Sequence, residues 1–385
     1  MSPDERAEQA RDPRGRPEKR AAAAIGALVV LAAAGAAFVA SERDPAREAD
    51  RGRALFSKTF TPEEGLGPFF NDRSCAGCHF EPTLGGMGRG GVATVLRVGQ
   101  LTESGFDALV GRGGPVAPEH AISELGATCA RRAGIPPGVN VTSVRNAPAL
   151  FGSGLIDAIP DEVILAGAVV GGDGVRGRPS IVRGPDGRRR VGRFGWKAHL
   201  STLERFVAEA FRSELGLTSP IAAEVASPTP PGDAGPCAEK SAGSEVGRDD
   251  VTAVAAFLAA LPEPRPKRAA ADGAAVFEQT GCAACHVPTL TARTRDVPLY
   301  SDLLLHDMGR ALDDRVVQVS AAGPEWRTTP LWGLGDRIRF LHDGRARSIE
   351  AAILAHGGEA QRATRRFRAL SDEARRRLLA FLRSL

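Results

Sequence analysis

The chain has 385 residues, enough for two domains, with 50 Lys and Arg against 46 Asp and Glu. A net charge of +4, with no Lys/Arg-rich stretch interleaved with aromatics, argues against a nucleic-acid partner. Only 5% of residues are aromatic, with a single Tyr, so the protein alone supplies few large flat bodies for a core.

In chain order the first feature is an uncharged run, residues 21–40, preceded by Arg11, Arg14, Arg16, Lys19 and Arg20. A run of that length spans a bilayer, and its basic flank stays on the cytoplasmic side. The alternative is a cleaved signal peptide, with Gly35-Ala36-Ala37 as a small-residue cleavage region. Either way residues 1–42 form a leader, and the rest of the chain is exported to the periplasmic side of the membrane, anchored by 21–40 or released.

A first unit, residues 43–262, opens with Gly52-Arg53-Ala54-Leu55-Phe56 and reaches Cys75-Ala76-Gly77-Cys78-His79. A second unit, 268–385, opens with Gly273-Ala274-Ala275-Val276-Phe277 and reaches Cys282-Ala283-Ala284-Cys285-His286. A Cys-x-x-Cys-His run is a site of covalent haem attachment: the two thiols add to the haem vinyl groups and the His ligates the iron. A zinc site would need its Cys pairs some ~15–20 residues apart, and these pairs lie in separate units. The pattern therefore implies two covalently bound haem c, with iron ligands His79 and His286. The two leftover thiols, Cys129 and Cys237, either pair in an oxidising compartment or stay free.

The units also close alike, on Ala256-Phe257-Leu258-Ala259-Ala260-Leu261 and on Ala380-Phe381-Leu382-Arg383-Ser384-Leu385. Both closings end amphipathic helices, the second with Ser371 as N-cap and Asp372 and Glu373 in its first turn. Each closing helix is expected to pack across its opening helix, as in a cytochrome c fold. Pro262–Lys267 reads as the linker. Within the units Arg145-Asn146-Ala147-Pro148 echoes Arg327-Thr328-Thr329-Pro330, and Ile164-Leu165-Ala166-Gly167 echoes Ile353-Leu354-Ala355-His356. If these segments correspond, one iron gains a distal imidazole from His356 and the other meets Gly167. The first unit is longer. Ile181-Val182 and Arg190-Val191 flank a Pro185-Asp186-Gly187 turn and predict a hairpin, and 218–248 reads as a surface loop. The fold class expected is mainly α: two cytochrome c-like haem domains, the first with a long insertion containing some β structure.

Several motifs then carry a resemblance: Phe194-Gly195-Trp196-Lys197-Ala198, Ser301-Asp302-Leu303-Leu304-Leu305-His306-Asp307-Met308-Gly309, Phe340-Leu341-His342-Asp343-Gly344-Arg345-Ala346 and His356-Gly357-Gly358-Glu359-Ala360. From around Asp50 to the C-terminus the chain resembles the bacterial di-haem oxidoreductases described as peroxidases or thiol oxidoreductases. It is similar, more distantly, to di-haem cytochrome c peroxidases. The resemblance implies a C-terminal haem that accepts electrons and an N-terminal haem, with a site that opens, that meets peroxide. Those peroxidases place a Met where this chain has His356, so the departure implies two His ligands and a lower potential for the second haem. They also carry a distal His soon after the first motif, where this chain has Gly85-Gly86-Met87-Gly88-Arg89-Gly90. Met87 ligates weakly there, or the site stands open.

Peroxide reduction also needs an acid/base and a positive charge near the open iron position. Asp157 and Glu162 are the acid/base candidates and Arg145 the charge; the bland readings are helix decoration and a propionate contact. Met308 is a second candidate ligand for the second haem, against an ordinary core Met. His306, His342 and Lys197 read as propionate or backbone partners, and His120 and His199 as ordinary polar residues. Trp196, Trp326 and Trp332 read as core first and electron relays second, and Tyr300 as structural. The sequence thus points to an exported di-haem oxidoreductase of peroxidase type. Its donor is a small redox protein or a quinol-linked carrier, and its substrate is hydrogen peroxide or a similar small oxidant. The alternatives are an electron-transfer cytochrome without substrate chemistry, or a haem-based sensor.

Overall fold

The computed structural model describes residues 44–110, 112–127, 132–168, 174–221, 245–267 and 271–385. The 21–40 run, Cys129, Cys237 and most of the 218–248 loop lie outside the described residues. Among those described, no helix is long and apolar enough to cross a membrane.

Pro45–Leu385 forms one compact unit. Helix α1 (Pro45–Ser57) leads into α2 (Cys75–Cys78), a single turn built on the first Cys-x-x-Cys. Short strand β1 (Phe69–Phe70) lies between them. Next come β2 (Thr94–Thr102), β3 (Gly105–Asp107), β4 (Val116–Ala117), β5 (His120–Ala121) and β6 (Val141–Asn146). Two short helices follow, α3 (Ser153–Ala158) and α4 (Asp161–Ala166), then strands β7 (Ile181–Arg183) and β8 (Arg189–Val191). Helices α5 (Leu203–Leu215) and α6 (Arg248–Ala260) close the first unit. The second holds α7 (Ala271–Thr280), strands β9 (Leu290–Thr291), β10 (Asp296–Val297), β11 (Leu305–Asp307) and β12 (Glu325–Arg327), and helices α8 (Ile349–Ala355), α9 (Gln361–Arg368) and α10 (Asp372–Ser384).

The expected repeat is visible in the packing. A Cβ on Gly52 in α1 would overlap the carbonyl of Ala253 in α6, and one on Gly273 in α7 would overlap that of Arg377 in α10. The glycine at each opening is thus the point where the opening and closing helices cross at backbone distance. One helical turn on, Phe56 meets Phe257 at 5.3 Å between ring centroids, and Phe277 meets Phe381 at 5.5 Å. Ser371 caps α10 by accepting from Ala374 N–H, with Asp372 and Glu373 in the first turn. The β7–β8 hairpin forms with Val182 opposite Arg190, turning through Gly187 at φ 73°.

The β content exceeds a small insertion: 17% of the structure is strand against 37% helix. Most of the excess is one antiparallel sheet in which β2 is central, with β6 on one edge and β3 and β4 on the other. Two apolar cores result. One gathers Phe56, Phe211, Phe257 and Ile164 and also takes Leu299, Leu303 and Trp332 from the second unit. The other gathers Phe277, Ile349, Phe367, Phe381 and Leu382.

Candidate functional site

The chain around each Cys-x-x-Cys-His run folds alike. Ser74 caps the first, accepting from Ala76 N–H, and His79 N–H donates to Cys75 O at 3.1 Å. In the second, His286 N–H donates to Cys282 O at 3.0 Å. Each turn puts both thiols and the His at one helix end. Burial pushes the Cys75, Cys78 and Cys282 thiols up to about 12, so they stay protonated.

Both imidazoles of the Cys-x-x-Cys-His runs are aimed by a backbone carbonyl. His79 Nδ1 lies 3.1 Å from Gly86 O, and His286 Nδ1 lies 2.9 Å from Tyr300 O. A carbonyl only accepts, so Nδ1 carries the proton and Nε2 presents a lone pair. Burial lowers both pKa values against the pull of those carbonyls, His286 to about 4. Neutral imidazole is the form that binds iron. The glycine run after the first motif finds its use here: it folds the chain back so that Gly86 anchors His79.

His356 repeats this pattern. It sits just past α8, with Nδ1 2.6 Å from Ala352 O, and burial lowers its pKa. His286 and His356 line one cavity with Cys282 and Cys285, and the charge of His356 is felt at His286. Apolar walls come from Phe277, Leu331, Phe340 and Ile353. Arg327 and Arg337 also line it; burial brings both down to about 10, and neither pairs with a carboxylate among the described residues. Half-buried cations with no direct carboxylate partner among the described residues fit the carboxylates of a haem. Gly167 holds the matching place after α4, its N–H bonding Ile164 O at 3.1 Å as His356 N–H bonds Ile353 O at 3.1 Å. The two units therefore differ at the position the repeat singled out.

The chain from Val139 onward has a family match. Residues 139–385 match the family described as "Di-haem oxidoreductase, putative peroxidase". The chain belongs to this family. Two haems are therefore expected of it, and the residues just described suit both. No curated protein matches. Among solved structures, the di-haem peroxidase BthA from Burkholderia thailandensis is 16% identical, over 90% of this chain and 89% of that one, at a TM-score of 0.41. A MauG-like protein associated with microbial copper homeostasis is 16% identical over 88% and 85%, at 0.41. Hydrazine synthase of Kuenenia stuttgartiensis is 15% identical over 88% and 92%, at 0.39.

The catalytic candidates are not gathered around the cavity that holds His286 and His356. Arg145 is buried, bonded to Ser143 and ion-paired with Asp314, with its guanidinium 4.4 Å from the Trp326 ring. Asp157 accepts the Leu203 N–H at 3.0 Å; it keeps solvent access, and partial desolvation raises its pKa. Glu162 is exposed on α4. Lys197 departs from a propionate role. It is fully buried, its ammonium donates to the carbonyls of Ala322, Gly323 and Glu325, and Asp314 Oδ1 lies at 3.3 Å. Burial brings it down to about 8, against the pull of Asp314. His342 stacks on Trp326 at 3.8 Å. His120 and His199 pair with Glu124 and Glu209, each at 2.8 Å, as ordinary polar residues do. Tyr300 packs edge-on against Phe277 and Phe381.

Met87 is buried in the wall shared by the main cavity and a smaller one lined by Pro82, Phe151 and Trp332. Sequence reasoning missed one arrangement. His306 is buried between Asp302 (Nε2 to Oδ2, 2.8 Å) and Glu359 (Nδ1 to Oε2, 2.9 Å), with Cys285 Sγ at 3.5 Å. Burial opposes its protonation, but Asp302 and then Cys285 outweigh this and push it up to about 11. Glu359 also accepts from the backbone of Arg176 and Asp307. Two of the four motifs that carried the resemblance thus meet: the turn after His356 is tied to the segment beside Cys285. The signal was the pair of motifs itself, whose contact only the fold reveals.

Proposed function

We propose that this protein is an exported di-haem c-type oxidoreductase of peroxidase type. Electrons enter at the C-terminal haem, held by Cys282, Cys285, His286 and His356. They pass to the N-terminal haem, held by Cys75, Cys78 and His79, where hydrogen peroxide or a similar small oxidant is reduced. The observation that carries this reading is the inequality of the units: two aimed imidazoles in one cavity for the second motif, and Gly167 in place of the second imidazole for the first.

Haem supplies one-electron redox chemistry and, where a coordination position is free, a place for a small oxidant. Peroxide plus two electrons and two protons gives two waters, so the chain must deliver protons. Asp157, whose raised pKa suits a proton carrier, leads Glu162 as the distal group of the first haem, since Arg145 is already held by Asp314. The carbonyl anchoring seen at Gly86 recurs at Tyr300 and Ala352, where it would orient both imidazoles for the second haem, while burial keeps them neutral. Arg327 and Arg337 neutralise the haem carboxylates, and His306, through Glu359, holds the His356 turn in place.

Cyanide binding tests the reading. One haem per chain is expected to bind cyanide, and Gly167→His is expected to abolish that binding. The backbone at Gly167 accepts a Cβ without a clash, which would meet only Ile164 O at 3.4 Å and Leu304 at 3.8 Å. A wild-type protein that binds no cyanide at either haem would favour the electron-transfer cytochrome instead.

A further inference from the structure

The chain's charge is unevenly spread. Residues 361–385 hold eight Arg against Asp372 and Glu373, a net +6; the whole chain carries +4, so the remaining residues sum to −2. Within this segment α9 carries Arg362, Arg365, Arg366 and Arg368 and no acidic residue. Arg362 to Arg368 span a rise of about 9 Å, close to one Debye length at physiological salt, about 8 Å, so these charges act together. The helix dipole favours the cations of the last turn but not Arg362 in the first. Like charges at i, i+3 and i+4 oppose one another, so this sequence does not favour its own helix.

The place of α9 gives the charge a use. The helix follows the His356 turn directly. Arg362 and Arg366 line the cavity of His286 and His356, as do Arg337 and Arg339, and the one acidic residue of that lining, Glu359, is already bound by His306. Arg365 and Arg368 point outward, exposed and without a carboxylate among the described residues. Leu354 on α8, a helix in contact with α9, adds an exposed apolar spot. A cationic ring with an apolar contact at the edge of an electron-carrying site matches a macromolecule with an acidic, mostly flat face.

We propose that α9 and the adjoining rim form the docking surface for an acidic one-electron carrier protein, which exchanges electrons with the second haem across this edge. The proposal rests on electron entry at that haem. Complementary charge acts chiefly on encounter rate and fades with salt. It therefore sets which carriers react quickly, while contact at the haem edge sets the transfer itself.

The test is stopped-flow oxidation of the reduced, haem-loaded protein, followed at the low-spin haem. The probes are an acidic cupric cupredoxin and a basic ferric cytochrome c. At low ionic strength the acidic probe is expected to react at least about 10-fold faster than the basic one, and the gap to close near ~0.5 M salt. Arg365→Glu with Arg368→Glu is expected to slow the acidic probe about 10-fold and speed the basic one. Arg188→Glu with Arg189→Glu, an equal charge change on the exposed tip of the β7–β8 hairpin, is expected to change neither. Equal effects of both pairs would reduce the result to net charge and overturn the docking surface. So would an acidic probe indifferent to the α9 pair, or arginines needed for binding anionic phospholipid vesicles but not for carrier oxidation. If the second haem reduces chemically yet exchanges with no carrier in any variant, electron entry at that haem fails, and the docking surface fails with it. Fast but charge-blind exchange overturns the docking surface alone.

Discussion

The two Cys-x-x-Cys-His units are built on one plan and diverge at one position. In each, a glycine lets the opening helix touch the closing helix backbone to backbone, and a phenylalanine pair locks the crossing. In each, a carbonyl aims the ligand imidazole. At the residue after an Ile-Leu-Ala segment the plan splits, into Gly167 in one unit and His356 in the other. Under the proposed function, this substitution on a shared scaffold would make one site that carries electrons and leave the other open for chemistry. The second unit alone adds the Asp302–His306–Glu359 arrangement, which braces the turn after the extra ligand.

The largest effect expected is loss of a haem. Cys282→Ala with Cys285→Ala should halve the covalently bound haem, measured by the pyridine haemochrome after acid extraction, and should remove the low-spin species. Removing Cys75 and Cys78 should instead remove the cyanide-binding species. Identical spectra from the two double variants would erase the distinction between the units. Next, His356→Ala should turn the second haem high-spin and ligand-binding while leaving the first unchanged; a retained low-spin signal would refute its role. His356→Met should keep the haem low-spin and raise its potential in a spectroelectrochemical titration.

A smaller effect tests the shared plan. Gly52→Ala and Gly273→Ala each force a methyl group against a backbone carbonyl, and each should destabilise the fold by about 1–3 kcal/mol in denaturant melts. A neutral result in either would mean that its helices do not cross as described.

The smallest effect concerns His306. Its pKa in the fold, about 11, lies above the ordinary histidine value of 6.5. The stability it contributes is therefore fully present below pH 6.5 and is lost as pH rises through about 11. Thioether formation at Cys285 removes the sulfur contact, so the loss in the haem-loaded protein begins at somewhat lower pH. Glu359→Gln should bring the alkaline loss of the His356-ligated spectrum to lower pH still. An unchanged alkaline midpoint would detach His306 and Glu359 from the ligand turn.

Local signals carried much of this. The Cys-x-x-Cys-His turns, the Ser371 cap, the Pro185–Gly187 turn and the glycine-to-phenylalanine openings all act over a few residues, and each local structure is found where the sequence put it. The sheet around β2 was not legible. Its partner β6 lies some forty positions on, its other neighbours are only two or three residues long, and its burial does not alternate along the strand. Arg145 and Lys197 were misjudged for a related reason. Their partner Asp314 is far along the chain, and only the fold converts two apparent site cations into one buried pair cluster beside Trp326.

The most direct measurement is the EPR and absorption spectrum of the purified haem-loaded protein, before and after hydrogen peroxide and cyanide. The unequal-sites account requires one low-spin haem that ignores both reagents and one high-spin haem that responds to both. Two six-coordinate low-spin haems that ignore peroxide and cyanide alike would contradict it.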